Sequence, residues 1–188
     1  MEVFLLSTGV VALAEMGDKT QLLALVLALR FRRPWPIVLG ILTATMVNHA
    51  LAGALGAWIT LQLGPHVLRG VLGLSFLTMA VWILIPDKLD GEQARKAPRL
   101  GVYSTTVLSF FLAEMGDKTQ IATIMLAAQY NPYEVVAGTT LGMMLADAPV
   151  VWLGERMTRR LTRLLPMRVV RGVSAVVFTA LGLFVLRG

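Results

Sequence analysis

The sequence predicts an all-α integral membrane protein: six transmembrane helices arranged as two inverted three-helix repeats. Three observations predict it. Apolar stretches recur in a chain of 188 residues that is 56% hydrophobic and 15% charged, and each is long enough, at about 20 residues, to cross the hydrocarbon layer as a helix. The string LAEMGDKTQ occurs twice without a change, at residues 13–21 and 112–120. Each copy opens a unit of three apolar runs, an odd number, so the second unit enters the bilayer upside down relative to the first.

Taken in order, the first span runs from about Val3 to Leu29 and is closed by Arg30, Arg32, Arg33 and Pro34. It carries Glu2 instead of a basic leading segment and has a motif at its centre, so it does not read as a cleaved signal peptide. The second span covers Trp35 to Leu61 and stops before Gly64-Pro65; the third covers Val67 to Ile85, closed by Pro86. Residues 86–100 are the one long polar stretch, with Asp87, Lys88, Asp90, Glu92, Arg95, Lys96 and Arg99. The fourth span, Gly101 to Gln129, ends at Asn131-Pro132, and the fifth runs from Tyr133 to Leu153. A basic connector, Glu155 to Arg168, reads as an amphipathic surface segment before the sixth span, Val169 to Leu186. The organisation is therefore a first repeat over 1–85, a linker over 86–100 and a second repeat over 101–188.

The repeat extends beyond the motif. Gly40 matches Gly138 and Gly56 matches Gly154 at a shift of 98; Leu68-Arg69-Gly70-Val71 matches Val170-Arg171-Gly172-Val173, and Phe76 matches Phe178. Basic residues give the orientation. Arg69 and Arg187 stand alone on one side; the other thirteen Lys and Arg outside the motifs fall on the opposite side, which is therefore cytoplasmic. Both termini then face outward and the linker lies in the cytoplasm of a multi-pass inner (plasma) membrane protein. A net charge of +6 spread over such connections marks topology, not nucleic-acid binding. With no cysteine there is no disulfide, thiolate metal site or Cys nucleophile. The absence of H-E-x-x-H and G-x-S-x-G argues against an intramembrane enzyme.

Charged groups inside apolar runs are costly unless they pair, face a cavity or bind something. Glu15 and Asp18, like Glu114 and Asp117, are three residues apart, which would put both carboxylates on one helix face. Gly17 and Gly116 between them mark where a helix could kink or open a carbonyl toward the site. Thr20, Gln21, Thr119 and Gln120 add neutral oxygens. A set of hard oxygen ligands without imidazole or sulfur suits calcium, manganese or magnesium. Four carboxylates with Lys19 and Lys118 as internal counter-charges leave a formal −2, which a divalent cation would neutralise and protons could replace. The competing interpretation is a self-paired cluster, since Glu15 and Lys19 stand at i,i+4. Two identical copies weigh against it.

Three further polar residues lie deep in the apolar runs: Asp147 in the fifth, Asn48 and His49 in the second. At the 98-residue shift His49 falls opposite Asp147. An intramembrane Asp is a candidate for proton coupling or coordination, and histidine titrates in a useful range. His66 reads as solvated. Trp35, Trp58, Trp82 and Trp152 stand near span ends, as interfacial anchors do.

At the two E-M-G-D-K-T strings the chain resembles the GDT-type cation/proton antiporters, whose signature E-x-G-D-[KR]-[ST] occurs twice in inverted halves. The family includes Golgi manganese/calcium transporters and bacterial manganese exporters, and the resemblance covers essentially the whole chain, which looks like a compact bacterial form. It implies export of manganese, or calcium, from the cytoplasm in exchange for protons. By the same resemblance Glu15, Asp18, Glu114 and Asp117 would form the cation site, with Thr20, Gln21, Thr119 and Gln120 in support. The implied partners are the divalent cation, protons and the lipid bilayer, with no resident cofactor and no nucleic acid; a homodimer is compatible with this. Two rival classes stay open: an exporter of an organic cation or amino acid, and a divalent-cation channel.

Overall fold

Proline and asparagine set where helices begin. The computed structural model describes residues 1–85, 101–164 and 167–187, apart from the side chains of 155–164 and 167. Eight helices and no strand are found among these residues. Helices α1 (Glu2–Glu15) and α2 (Lys19–Phe31) together occupy the first predicted span. The second and third spans are α3 (Pro34–Gln62) and α4 (Pro65–Trp82). Helices α5 (Val102–Glu114) and α6 (Lys118–Gln129) share the fourth. The fifth lies in α7 (Pro132–Leu164), which is broken at Gly154 (φ 65°, ψ −170°), and the sixth is α8 (Met167–Arg187). Pro34, Pro65 and Pro132 each begin a helix, where a missing N–H costs nothing. Asn131 caps α7, its Oδ1 accepting from the N–H groups of Tyr133 (3.0 Å) and Glu134 (3.3 Å). The predicted linker 86–100 lies outside the described residues, as do the side chains on which an amphipathic connector would depend.

Among the described residues, four helices are long and apolar enough to cross a membrane: Pro34–Gln62, Pro65–Trp82, Pro132–Gly154 and Arg168–Arg187. The expectation of continuous first and fourth helices is corrected. Each is interrupted at its motif, because the string between the halves forms a tight turn. A half-helix of 14 residues such as α1 spans only about 21 Å, short of the roughly 30 Å hydrocarbon core.

Packing exchanges the two units. Helix α3 of the first lies against α5 and α6 of the second, α7 of the second lies against α1 and α2 of the first, and α4 packs on α8. Glycine permits the close approach. Gly40 abuts Thr106 and Tyr103 of α5, while its counterpart Gly138 abuts Phe4 and Ser7 of α1. An added Cβ at Gly138 would sit 3.0 Å from the Ser7 Cβ and closer still to the Phe4 carbonyl oxygen. Gly138→Leu is therefore expected to destabilise the fold by about 1–3 kcal/mol through overpacking, read as a lower melting temperature in detergent.

Two apolar clusters flank the motifs. One joins Phe76, Met79, Leu126 and Phe178; the other joins Leu23, Leu27, Ile41 and Phe110. Chain ends sort onto two faces. On one, the Met1 ammonium meets Glu134 at 3.0 Å, and Thr60, Pro65, Arg69, Gln129 and Phe184 line a 260 Å³ cavity. On the other, Trp35 meets Trp152 edge-on at 4.9 Å, so these two predicted interfacial anchors are also a contact between α3 and α7.

Candidate functional site

The E-M-G-D string is a turn, and both copies make the same one. Glu15 ends α1, Met16 is extended (φ −62°, ψ 113°), Gly17 is left-handed (φ 79°), and Asp18 caps α2 (φ −84°, ψ 173°). The second copy repeats this with Met115 (φ −62°, ψ 118°), Gly116 (φ 76°) and Asp117 (φ −81°, ψ 168°). The Asp18 N–H donates to the Glu15 carbonyl and the Asp117 N–H to the Glu114 carbonyl, each at 3.0 Å. This is the geometry of a type II turn, which demands φ > 0 at its third residue and hence glycine. Gln21 and Gln120 brace the turns from behind: their Oε1 atoms accept from Gly17 N (3.1 Å) and Gly116 N (2.6 Å). The expectation that Glu and Asp share one helix face is thereby corrected. Each Glu ends one half-helix and each Asp begins the next, so the carboxylates stand where one helix ends and another starts; the Lys118 N–H donates to Asp117 Oδ1 at 2.8 Å. Broken helices of this kind present dipole ends to ions inside a membrane protein.

Burial is nearly complete. Glu15, Glu114, Asn48, His49, Asp147 and Thr20 are wholly inaccessible, while Asp18, Asp117, Lys118 and Thr119 are buried to within a few per cent. In the first copy, the Thr20 hydroxyl donates to Glu15 Oε2 across the turn. In the second, Asn48 reaches over from α3, donating through Nδ2 to Glu114 Oε2 and to the Phe111 carbonyl, both at 3.2 Å. His49 Nε2 lies 2.8 Å from Glu114 Oε1, at ion-pair distance but out of line for a hydrogen bond. Behind the ring, Thr140 Oγ1 is 3.4 Å from Nδ1.

The lysines differ from each other. Lys19 Nζ crosses between the units to Asp117 Oδ2 at 3.2 Å, so it does not pair with Glu15 inside its own motif as a self-paired cluster requires. Lys118 Nζ donates to the Ile85 carbonyl at 3.0 Å. Gln21 also crosses, donating to the Ala146 carbonyl of α7 at 3.1 Å. Next along α7 stands Asp147, buried, with neither oxygen hydrogen-bonded among the described residues. The carboxylates of Asp147, Asp117 and Glu114 are near enough to bear on Glu15, and those of Glu114 and Asp18 on Asp147.

The two motifs, α3 and α7 thus enclose one polar layer. Within it no three His, Asp or Glu side chains of the described residues already stand at metal-binding distance from a common point. The sequence reading missed the buried hydroxyls, among them Thr140, which meets His49, and Ser7 and Thr45 on helices α1 and α3. Helical spacing holds the signal: Thr45 precedes His49 by four residues and Thr140 precedes Asp147 by seven, each pair on one face.

The chain matches the family profile described as "Divalent cation/proton antiporter GDT1" over residues 3–91 and 102–188. It is 49% identical over 185 residues to a Vibrio cholerae protein named "Putative manganese exporter", covering 97% of this chain and 90% of that one. A GDT1-like protein of Synechocystis is 30% identical over 171 residues, covering 81% of this chain and 82% of its own length. A GDT1-like protein of rice is 28% identical over 198 residues, covering 85% and 84%. No solved structure matches the chain.

Proposed function

The chain belongs to the divalent cation/proton antiporter family GDT1, and on that premise we infer that it exports manganese from the cytoplasm in exchange for protons, with calcium as the second candidate cargo. The observation that carries this reading is the buried layer itself. Glu15, Asp18, Glu114 and Asp117 meet there at two helix breaks, with Asp147 alongside. Carboxylates withdrawn from water are costly unless they are paired or visited by cations or protons, and here they outnumber the lysines that face them. Thr20, Gln21, Thr119 and Gln120 supply neutral oxygens or hold the turns; Lys19 and Lys118 limit the negative charge; Asn48, His49 and Asp147 border the site and are the candidates for handling protons. Hard oxygen donors favour manganese or calcium over softer ions.

In this reading the broken helices count as crossings, giving six spans in two inverted units over 1–85 and 101–188. The sorting of chain ends onto two faces supports that threading, and so does the contact of Phe76 with its repeat counterpart Phe178, 6.2 Å apart. Corresponding residues touch each other only near the axis that relates two units. Alternating access then arises as the units shift about the shared layer. The protein sits in the inner membrane with both termini outside, as the basic residues indicate.

The test is proton flux in proteoliposomes of the purified protein on addition of manganese, then calcium. Proton movement driven by either ion is expected. Cation movement with no proton movement would replace the antiporter with a channel, and silence with both ions would turn attention to organic cations.

A further inference from the structure

The motif copies are identical, but their surroundings are not. His49 and Asp147 hold corresponding places, 98 residues apart, in the two long helices. Each long helix packs against the broken helix of the other unit, so one motif faces an imidazole and the other a carboxylate. Glu114 has His49 at 2.8 Å and Asn48 at 3.2 Å on its two oxygens, and Asp117 has Lys19 at 3.2 Å. The first motif is held by different groups. Thr20 serves Glu15 Oε2, while Glu15 Oε1 and both oxygens of Asp147 are buried and have no hydrogen-bond partner among the described residues. Glu15 and Asp147 lie in the same dry layer, the charge of Asp147 bears on Glu15, and their three oxygens are hard donors of the kind a divalent ion takes.

We propose that Asp147 is a direct ligand of the transported divalent cation, paired with Glu15, so that the ion binds off-centre, against the first motif and α7. The Thr20 hydroxyl fixes one oxygen of Glu15 and leaves the other to the metal. Gln21, held on the Ala146 carbonyl, keeps the first turn against the helix that carries Asp147. The second motif, faced by His49, Asn48 and Lys19, contributes its charge to the same layer. This inference rests on the reading of the layer as a divalent-cation site.

The test is manganese binding to the purified full chain in detergent, followed by electron paramagnetic resonance of the free ion, with bound waters counted by electron–nuclear double resonance at saturation. Wild type is expected to bind manganese. Asp147→Asn and Glu15→Gln should each raise Kd by at least about 100-fold, the upper end of what losing a mere supporting partner costs. Whatever ion the Asp147→Asn variant still holds should show an altered water count, which a structural role for Asp147 would not produce. If Asp147→Asn fails to fold, Asp147→Glu decides: a shifted Kd together with a changed bound-ion spectrum supports the ligand, and wild-type values for both overturn it. Wild-type binding by Asp147→Asn beside loss of binding in Glu15→Gln also overturns this inference and leaves the cation site standing. Failure of wild type to bind either manganese or calcium overturns the site itself.

Discussion

Glu15→Gln and Glu114→Gln are each expected to reduce manganese-driven proton flux to that of protein-free vesicles while the protein still inserts in the membrane. The carboxamide keeps the shape of the side chain and removes its charge. At about 4 Å and an effective dielectric constant near 20, a unit pair of charges is worth about 4 kcal/mol, and a doubly charged ion feels twice that. Losing such a term weakens cation binding by more than three orders of magnitude. Stability should separate the two. Glu15 is fully buried among other carboxylates, so removing its charge relieves desolvation and the melting temperature in detergent is expected to hold or rise. Glu114→Gln takes away the partner of buried His49 and is expected to lower it. Wild-type export by both variants would sink the proposed site.

Gly116→Ala is expected to cut transport about tenfold or more, although nothing obstructs a methyl group there. No atom lies within 4 Å of a Cβ built on Gly116; the obstacle is its backbone, at φ 76°. An L-residue pays about 1–2 kcal/mol in the left-handed region, and the turn can shed that strain by reopening. Reopening moves Glu114 relative to Asp117, and a site of this kind tolerates only about half an ångström of displacement. Gly116→Asn should fall between alanine and wild type, because asparagine enters the left-handed region more readily. Full activity in the alanine variant would show that the turn is not what sets the carboxylate geometry.

Much of this molecule is written in local pattern. The spans that became α3, α4 and α8 were legible because each is an unbroken apolar run bounded by proline or basic residues, and α7 because Asn131-Pro132 opens it. The first and fourth spans were legible only in outline. Hydropathy does not register a turn whose residues, Glu-Met-Gly-Asp, occupy a single step of the chain, and Gly17 and Gly116 could be read as weak points without revealing a type II turn. The cross-unit pairs were illegible for a different reason. Lys19 finds Asp117 and His49 finds Glu114 because each long helix lies on the other unit's broken helix, and that exchange is a tertiary fact. Periodicity within one helix carries no trace of it. The repeat register came nearest, by setting His49 opposite Asp147.

The exchanged packing also has a consequence for biogenesis. Gln21 and its acceptor on Ala146 are 125 residues apart, and Glu15 waits as long for α7. At ribosomal speeds of 5–20 residues per second, that interval is roughly 6–25 seconds. During it the first motif, with its glutamate, aspartate and lysine, must be held by the insertion machinery or by its own Lys19, since the cover it will have in the finished protein has not been translated. A nascent chain stalled before α7 would therefore expose a charged, half-built layer to the quality-control proteases of the membrane.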